Sequence, residues 1–351
     1  MNTEAVTICL NRKCPRQCPQ CGLADGREGL GIRDWIKAIS TLKRRLRAKF
    51  FLFVGCEPLM FGEDLLQLIR FLRDEDIRYG MYSTSPEPMF SHLRKGLIDN
   101  GLENWSSGID CLPGDKDLDH HTQRKVEDSI RGLIWMAERG VQTHTVTTVH
   151  RQNLDRVVDI LLWCQDNIPG VQSSLNLIEW DREGGFDFFA PPEAMKSLLW
   201  TGTEEEKERV RRMAEGVVYL SRTEGMIIQT PDSYLIGLEE RYTELGGCCG
   251  GVVGPAVDCD GTMRVCGYAK GEHCPSFDVM DLEYSLGSFL ENWAMDLDDC
   301  PGCQWIFKDM LAGDTRILDP KSGFHQDRWA WSREAFDYYW SHKEVGNGAA
   351  R

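Results

Sequence analysis

The first 180 residues alternate between short apolar runs and amphipathic stretches of helical periodicity, and this alternation restricts the fold more than any other feature. Strands are predicted at 6–10, 50–54, 79–83, 105–109, 143–149 and 174–178. Helices are predicted between them, near 32–47, 63–75, 88–98, 120–139 and 154–167. Strands that alternate with helices form right-handed βαβ units and pair in parallel. The sequence therefore predicts an α/β protein whose sheet closes, fully or partly, into a barrel, with a doubly wound sheet as the alternative.

A polar or thiol-bearing residue lies at or just after the end of every predicted strand. These residues are Cys14, Cys18, Cys21, Glu57, Ser83, Thr84, Asp110, His150 and Glu179. In a parallel barrel the loops that follow the strands lie on one face, which is where such folds carry out their chemistry. The sequence thus predicts one functional site at the carboxyl ends of the strands.

Composition and charge exclude several classes of function. The chain is 42% hydrophobic and 27% charged, as is typical of a soluble globular protein, and no apolar run approaches the length of a membrane span. The N-terminus has no signal-peptide pattern, so a cytoplasmic location is expected. A net charge of −15 argues against nucleic acid as the main partner. Without an export signal, the 14 cysteines are expected to bind metal or to do redox chemistry rather than to form disulfides.

Three of these cysteines are crowded into the stretch C14-PRQ-C18-PQ-C21. A C-x3-C-x2-C pattern is expected by chance only about 0.02 times in a chain with 14 cysteines among 351 residues, so the spacing has a cause. Three thiolates leave one iron of a four-iron cubane open to a substrate or cofactor, whereas four would saturate it. A zinc ion completed by a distant His or Cys is the alternative, although structural zinc usually recruits C-x2-C pairs.

A C-x3-C-x2-C motif at the end of a first strand resembles the signature of the radical S-adenosylmethionine (SAM) superfamily. The resemblance implies a partial (β/α)6 TIM-like barrel in which Cys14, Cys18 and Cys21 hold a [4Fe–4S] cluster that binds SAM. It also implies that one electron from an external flavodoxin- or ferredoxin-type donor yields a 5′-deoxyadenosyl radical, which abstracts a hydrogen atom from the substrate. Gln20 stands where this family often has an aromatic residue.

The loop G55-C56-E57-P58 after the second strand is similar to the family's glycine-glycine-glutamate-proline loop, which binds SAM. Cys56 replaces the second glycine, which would place a thiol close to the cofactor. After strand four the family's serine and glycine are replaced by Gly108 and Cys111. The SAM contacts that the resemblance implies are Gly55, Cys56, Glu57, Pro58, Ser83, Thr84, Ser107 and Asp110. Ordinary loop capping is the alternative role for the last four.

A second cysteine set begins at C248-C249 and continues with Cys266, Cys300 and Cys303. A hairpin around Asp260-Gly261 is predicted between its first members. Four thiolates suit an electron-transfer or structural cluster, and a structural zinc is the alternative. The set is similar to the "twitch" domain, a shorter relative of the SPASM domain. The resemblance implies an auxiliary [4Fe–4S] cluster held by Cys248, Cys266, Cys300 and Cys303, with Cys249 as the alternative to Cys248.

The predicted organisation has four parts. Residues 1–190 form the partial barrel, and 191–245 form a helical linker region whose helix begins with a capping box from Thr203 to Glu206. Residues 246–310 form a small α+β twitch (SPASM-like) domain, and 311–351 form a C-terminal helical tail.

The resemblance favours an oxidoreductase that oxidises a small molecule of alcohol or amino-sugar type, with the auxiliary cluster accepting the second electron. His150, Glu179 and Asp181 are candidates for the base that takes the proton. The alternative is a peptide maturase that crosslinks or epimerises a ribosomal precursor, in which Cys56 or Cys111 could return a hydrogen atom. Because strand one begins the chain, a leader-binding domain is not expected. A third hypothesis is a metal-binding regulatory protein without SAM chemistry.

Overall fold

A computed structural model of the chain describes residues 5–16, 18, 21, 24–115, 120–178, 197–199, 202–230, 235, 255–264 and 276–281. Its strands are β1 (Ala5–Cys9), β2 (Phe50–Val54), β3 (Arg78–Tyr82), β4 (Leu102–Gly108), β5 (Gln142–Val149), β6 (Gln172–Leu177), β7 (Ala256–Val257), β8 (Thr262–Arg264) and β9 (Ser276–Asp278). Its α-helices are α1 (Ile32–Leu46), α2 (Glu63–Asp74), α3 (Met89–Asp99), α4 (His120–Ala137), α5 (Val157–Asn167) and α6 (Glu204–Thr223).

The strands form one sheet, in which β1 to β6 pair in parallel and in chain order. The free edge of β1 pairs in parallel with β7, and β8 and β9 continue the sheet antiparallel. Because the order of β1 to β6 never reverses, the sheet has no topological switch point, and the doubly wound alternative is wrong. Since β7 rather than β6 lies beside β1, the barrel is open. The predicted partial (β/α)6 barrel is confirmed.

The two faces of the parallel sheet have different surroundings. Val6, Phe51 and Trp105 are fully buried and pack in one core with residues of α1 to α4. Neighbouring residues such as Thr7 and Leu52 are only partly buried, because successive side chains of a strand point to opposite faces. Each fully buried apolar side chain contributes about 1.5–3 kcal/mol. The helix-covered face therefore stabilises the fold, and the opposite face lines the barrel interior.

The six strands and five helices predicted for the first 180 residues are confirmed, with end points that differ by a few residues. Helix α5 begins at Val157 rather than near 154, because Leu154–Arg156 form a short 3-10 helix first. The predicted cap by Thr203 is formed, because the Glu206 amide donates to Thr203 Oγ1 over 3.2 Å at the start of α6; the Glu206 carboxylate accepts from the Gly202 amide over 2.9 Å instead of from the Thr203 amide of a complete capping box. Strand β9 was not predicted from the sequence.

The hairpin predicted around Asp260-Gly261 is formed by β7 and β8, and it is joined to the barrel beside the first cysteine motif. Arg12, which follows β1, donates from Nε to Asp258 Oδ1 over 3.1 Å. Both side chains are nearly buried, and the Arg12 guanidinium lowers the pKa of the Asp258 carboxyl against the opposing effect of burial. A buried ion pair thus connects the barrel to the region that begins the second cysteine set.

Several predictions fall outside the described residues. They concern Glu179, Asp181, Cys248, Cys249, Cys266, Cys300 and Cys303, together with the tail at 311–351. The four proposed parts of the chain therefore remain predictions. Within the described residues, the cysteines are free thiols, and no helix is both long and apolar enough to cross a membrane.

Candidate functional site

The loop that contains Cys14, Cys18 and Cys21 follows β1, and the three thiols share one electrostatic environment. Burial is the largest cause of a rise in the pKa of the Cys14 thiol to about 12, to which Glu57, Cys18 and Cys21 contribute and which the hydrogen bond from the Arg16 amide opposes. Burial and Cys21 are also among the causes that raise the pKa of Cys18. Since thiols bind iron as thiolates, metal binding would release these protons.

The conformation of this loop is not that of a finished metal centre. Among the residues that the structure describes, no three His, Cys, Asp or Glu side chains already form a ligand set for one metal ion. The donor set nevertheless suits an iron–sulfur cluster, because three thiols lie in one short loop, and soft thiolates are the ligands such clusters prefer.

The G55-C56-E57-P58 loop lies against the cysteine loop. The Glu57 amide donates to the Lys13 carbonyl oxygen over 3.1 Å, and Asn11 Nδ2 donates to the Glu57 carbonyl oxygen over 3.4 Å. Cys56 follows Gly55 directly, and its thiol is within electrostatic range of Cys14 and Cys21, which together with burial raise its pKa. The two motifs singled out in the sequence are therefore neighbours.

The Glu57 carboxylate is fully buried and joins the ends of β2 and β3. Its Oε1 accepts hydrogen bonds from Ser83 Oγ (2.6 Å) and the Leu59 amide (3.2 Å). Its Oε2 accepts from the amide and the hydroxyl of Thr84, both over 3.0 Å. Burial raises the pKa of Glu57, and these hydrogen bonds oppose the rise. The Glu57 carboxylate after β2 is thus bound by the hydroxyls of Ser83 and Thr84 after β3.

Asp110, which follows β4, forms a buried ion pair with Lys125 of α4, and each side chain is 8% exposed. Asp110 Oδ1 also accepts from the Thr148 amide over 2.8 Å. Burial alone would raise the pKa of Asp110, but Lys125 and these hydrogen bonds hold it below its usual range. Lys125 also lowers the pKa of Cys18 against the effect of burial, so the ion pair lies within electrostatic range of the cysteine loop.

The surroundings of Gly108 explain why glycine stands where the radical SAM family usually has serine. A Cβ at this position would lie 2.7 Å from the Tyr82 hydroxyl and 3.4 Å from Lys125 Nζ. The buried lysine and the tyrosine occupy the space that a serine side chain would need. The serine expected there is therefore replaced by glycine because of this packing.

Arg16 connects the cysteine loop to two other elements. Its guanidinium pairs with the Asp128 carboxylate of α4, and its Nε lies 3.5 Å from Thr84 Oγ1. The Arg16 and Asp128 side chains are 9% and 3% exposed. Asp128 also accepts from Arg131 over 2.6 Å.

Other candidate residues have different surroundings. His150 is buried, and its Nδ1 accepts from the Asn153 amide over 3.3 Å; burial lowers its pKa. Cys111 is buried as well. Ser107 is two residues from Trp105 on β4, so its side chain lies on the same helix-covered face of the sheet. Its buried hydroxyl has no hydrogen-bond partner. Asn153 precedes the short 3-10 helix, and its Nδ2 donates to the carbonyl oxygens of Asp110 and Thr148, each over 2.9 Å.

Sequence reasoning missed the contribution of α4. Lys125 and Asp128 are three residues apart on one face of this helix, and both are buried beside the candidate site. A helical pattern shows that two charged residues share a face, but it does not show that this face is covered. Arg16 was missed because the motif was interpreted from its cysteines alone, and nothing in the sequence indicates a partner for the arginine between them.

Replacing Gly55 by alanine is expected to lower the free energy of unfolding by about 2–4 kcal/mol. Gly55 has a φ of 96°, and an added Cβ would lie 2.3 Å from Cys9 Sγ. The measurement is chemical denaturation of the metal-free protein.

Gly62→Ala is the matched control for Gly55→Ala. Gly62 also has a positive φ of 61°, but an added Cβ would meet no atom within 4 Å. It should lose only the cost of the backbone conformation, about 1–3 kcal/mol, since a φ of 61° with a ψ of −135° is rarely adopted by residues with a Cβ. Equal losses of unfolding free energy in the two variants would show that the close approach of the new Cβ to Cys9 Sγ does not destabilise the fold.

Comparisons with known proteins agree with the fold described above. No protein-family model matches the chain. It is 24% identical over 277 residues to an AdoMet-dependent heme synthase of Nitratidesulfovibrio vulgaris, covering 74% of this chain and 72% of the relative. Streptococcus suis SuiB bound to S-adenosylmethionine has a similar structure (TM-score 0.60, 13% identity), as does anSMEcpe with bound AdoMet and the Cp18Cys peptide (TM-score 0.58, 11% identity). The SuiB match covers 82% of this chain and 66% of SuiB, just under two thirds, and the anSMEcpe match covers 99% of each.

Proposed function

We propose that the chain is a radical SAM enzyme that binds a [4Fe–4S] cluster and SAM at the carboxyl ends of β1 to β4, and its cysteine motif, its fold and its 24% identity to an AdoMet-dependent heme synthase support this. The observation that carries the proposal is the contact between two loops, in which the Glu57 amide donates to the Lys13 carbonyl oxygen. This contact brings the three-thiol loop and the GCEP loop together at one edge of the sheet.

Cys14, Cys18 and Cys21 would hold the cluster, and the neighbouring GCEP loop would border the SAM site. When bound there, the cluster and SAM supply a 5′-deoxyadenosyl radical that abstracts a hydrogen atom from the substrate. The chain itself contributes the buried contacts that fix the loops: Glu57 joins β2 to β3, and Lys125 joins α4 to Asp110. Rigid loops favour one binding geometry and exclude water from the site.

Two structural neighbours support a peptide substrate, whereas the relative that is 24% identical is named a heme synthase. SuiB has also been solved with its precursor peptide SuiA (TM-score 0.57), and anSMEcpe has been solved with the Cp18Cys peptide. We therefore propose a peptide-modifying enzyme first, and the oxidation of an alcohol or amino sugar, which the sequence favoured, second. In either case an external flavodoxin- or ferredoxin-type donor would provide the electron.

A second [4Fe–4S] cluster at Cys248, Cys266, Cys300 and Cys303 is also part of the proposal, with Cys249 as the alternative first ligand. The support is positional: the β7–β8 hairpin lies between Cys249 and Cys266 in the chain, and it is bound to the barrel through Arg12 and Asp258. A cluster near this hairpin would be able to exchange electrons with the site after β1.

The test is to reconstitute the protein anaerobically with iron and sulfide, and to measure metal content and SAM cleavage. We expect about eight irons per chain if both clusters form, and about four if only the first does. Addition of SAM and dithionite should release 5′-deoxyadenosine and methionine, measured by mass spectrometry. A chain that holds zinc in place of iron and releases no 5′-deoxyadenosine would contradict the proposal and favour a regulatory metal-binding protein.

A further inference from the structure

Arg16 lies within the C-x3-C spacing, and its side chain links the cysteine loop to α4 and to Thr84. Among the described residues of this loop (14–16, 18 and 21), the hydrogen bonds to other elements are those of Arg16. The remaining bonds are internal: the Arg16 amide donates to Cys14 Sγ over 3.4 Å, and the Cys21 amide donates to the Cys18 carbonyl oxygen over 3.0 Å. Among these described residues, Arg16 is therefore the side chain that fixes the loop to α4, in addition to the backbone bond between Glu57 and Lys13 at the start of the loop.

Asp128, the partner of the Arg16 guanidinium, is buried rather than exposed at the surface. Asp128 is 3% exposed and divides its carboxylate between two arginines, with Oδ2 toward Arg16 and Oδ1 toward Arg131. The Arg131 side chain is 50% exposed, and its Nη1 lies 3.9 Å from Glu87 Oε1. Removing Arg16 would leave one oxygen of a buried carboxylate without its cation, which is strongly unfavourable. The chain maintains this pair although its burial is costly.

Thr84 extends the connection to the second loop. Its Oγ1 lies 3.5 Å from Arg16 Nε and donates to Glu57 Oε2 over 3.0 Å. The guanidinium thus borders the same hydroxyl that binds the carboxylate of the GCEP loop. A shift of Arg16 would disturb both loops together.

We propose that Arg16 and Asp128 are positioning residues that hold the loop of Cys14 and Cys18 against the GCEP loop, so that its thiols would be placed to bind a cluster there. This inference rests on the proposed function. Neither residue touches the reacting atoms; Asp128 acts through Arg16, and Arg16 acts through the backbone of the cysteine loop.

The test compares variants of the full-length chain reconstituted with iron and sulfide. For Arg16→Met and Asp128→Asn, the chelator concentration that removes half of the SAM-responsive cluster should fall about 10- to 100-fold, as when an orienting partner of a metal ligand is lost. The electron paramagnetic resonance signal of the reduced protein should also respond less to added SAM. Arg16→Lys should rescue part of both effects, because it keeps the charge but cannot reach Asp128 and Thr84 together.

Two controls separate positioning from folding. Arg131→Met removes the other arginine of Asp128 without touching the cysteine loop, and it should retain cluster affinity and the SAM response. The double variant Arg16→Met/Asp128→Leu replaces the charged pair by apolar side chains, which should restore thermal stability but not cluster affinity.

Restored cluster affinity in the double variant, or an equal loss of cluster affinity in Arg16→Met and Arg131→Met, would overturn this inference and leave the proposed function standing. A wild-type chain that binds no iron would overturn the proposed function, and the inference with it.

Discussion

Replacing Cys14, Cys18 or Cys21 by alanine, one at a time, should reduce 5′-deoxyadenosine formation to an undetectable level. Two thiolates cannot hold a cubane in the barrel mouth, and without it SAM has no electron source. Iron content should fall from about eight to about four per chain if the second cysteine set holds its own cluster. The measurements are iron analysis and mass spectrometry of the SAM products.

Cys164→Ala is the control for these variants. Cys164 is a fully buried thiol of α5, so its loss tests whether removal of any buried cysteine weakens the fold enough to abolish activity. It should retain the full iron content and SAM cleavage. A Cys14, Cys18 or Cys21 variant that still cleaves SAM after Cys56 has also been replaced by alanine would contradict the assignment.

Cys56 makes one additional variant necessary. Its thiol is within electrostatic range of Cys14 and Cys21, so it could replace a missing ligand and hide the effect of an alanine substitution. Each alanine variant should therefore also be prepared with Cys56→Ala. Activity that survives the single substitution but not the double one would identify Cys56 as a substitute ligand.

The sequence predicted the part of this molecule that depends on local pattern. Alternation of apolar residues located β1 to β6, and the spacing of Cys14, Cys18 and Cys21 identified the loop that follows the first strand. The pairing order then followed from the rule that βαβ units are right-handed and neighbouring. These features need only short stretches of chain.

The charged contacts of the site could not be predicted in the same way. Arg16 and Asp128 are 112 residues apart in the chain, and they meet because α4 packs against β4 and β5. The hydrogen-bonding role of Glu57 was also not foreseen, since its partners Ser83 and Thr84 come from the next strand. Long-range polar contacts of this kind depend on tertiary packing, which a single sequence does not display.

Replacing Lys125 by methionine is expected to lower the free energy of unfolding by about 3–5 kcal/mol at pH 7. The substitution leaves the Asp110 carboxylate buried without its lysine, whereas the double variant Lys125→Met/Asp110→Asn removes both charges and should lose much less. Chemical denaturation of the metal-free protein measures both. Lys207→Met, which breaks an exposed pair with Glu204 on α6, is the matched control and should cost less than about 1 kcal/mol.

The pH dependence of the same variants provides a second, independent test. In the wild type, Lys125 holds the pKa of Asp110 below its usual range, so the pair's contribution is present above the pKa of the unfolded chain and is lost as pH falls through the folded value. In Lys125→Met, burial dominates and the folded pKa of Asp110 rises. The deficit of this variant should therefore shrink as pH falls and Asp110 takes up a proton, while the double variant shows no such recovery. A deficit that is constant from pH 8 to about pH 4 would mean that lost packing of the lysine stem, rather than an uncompensated carboxylate, is the cause.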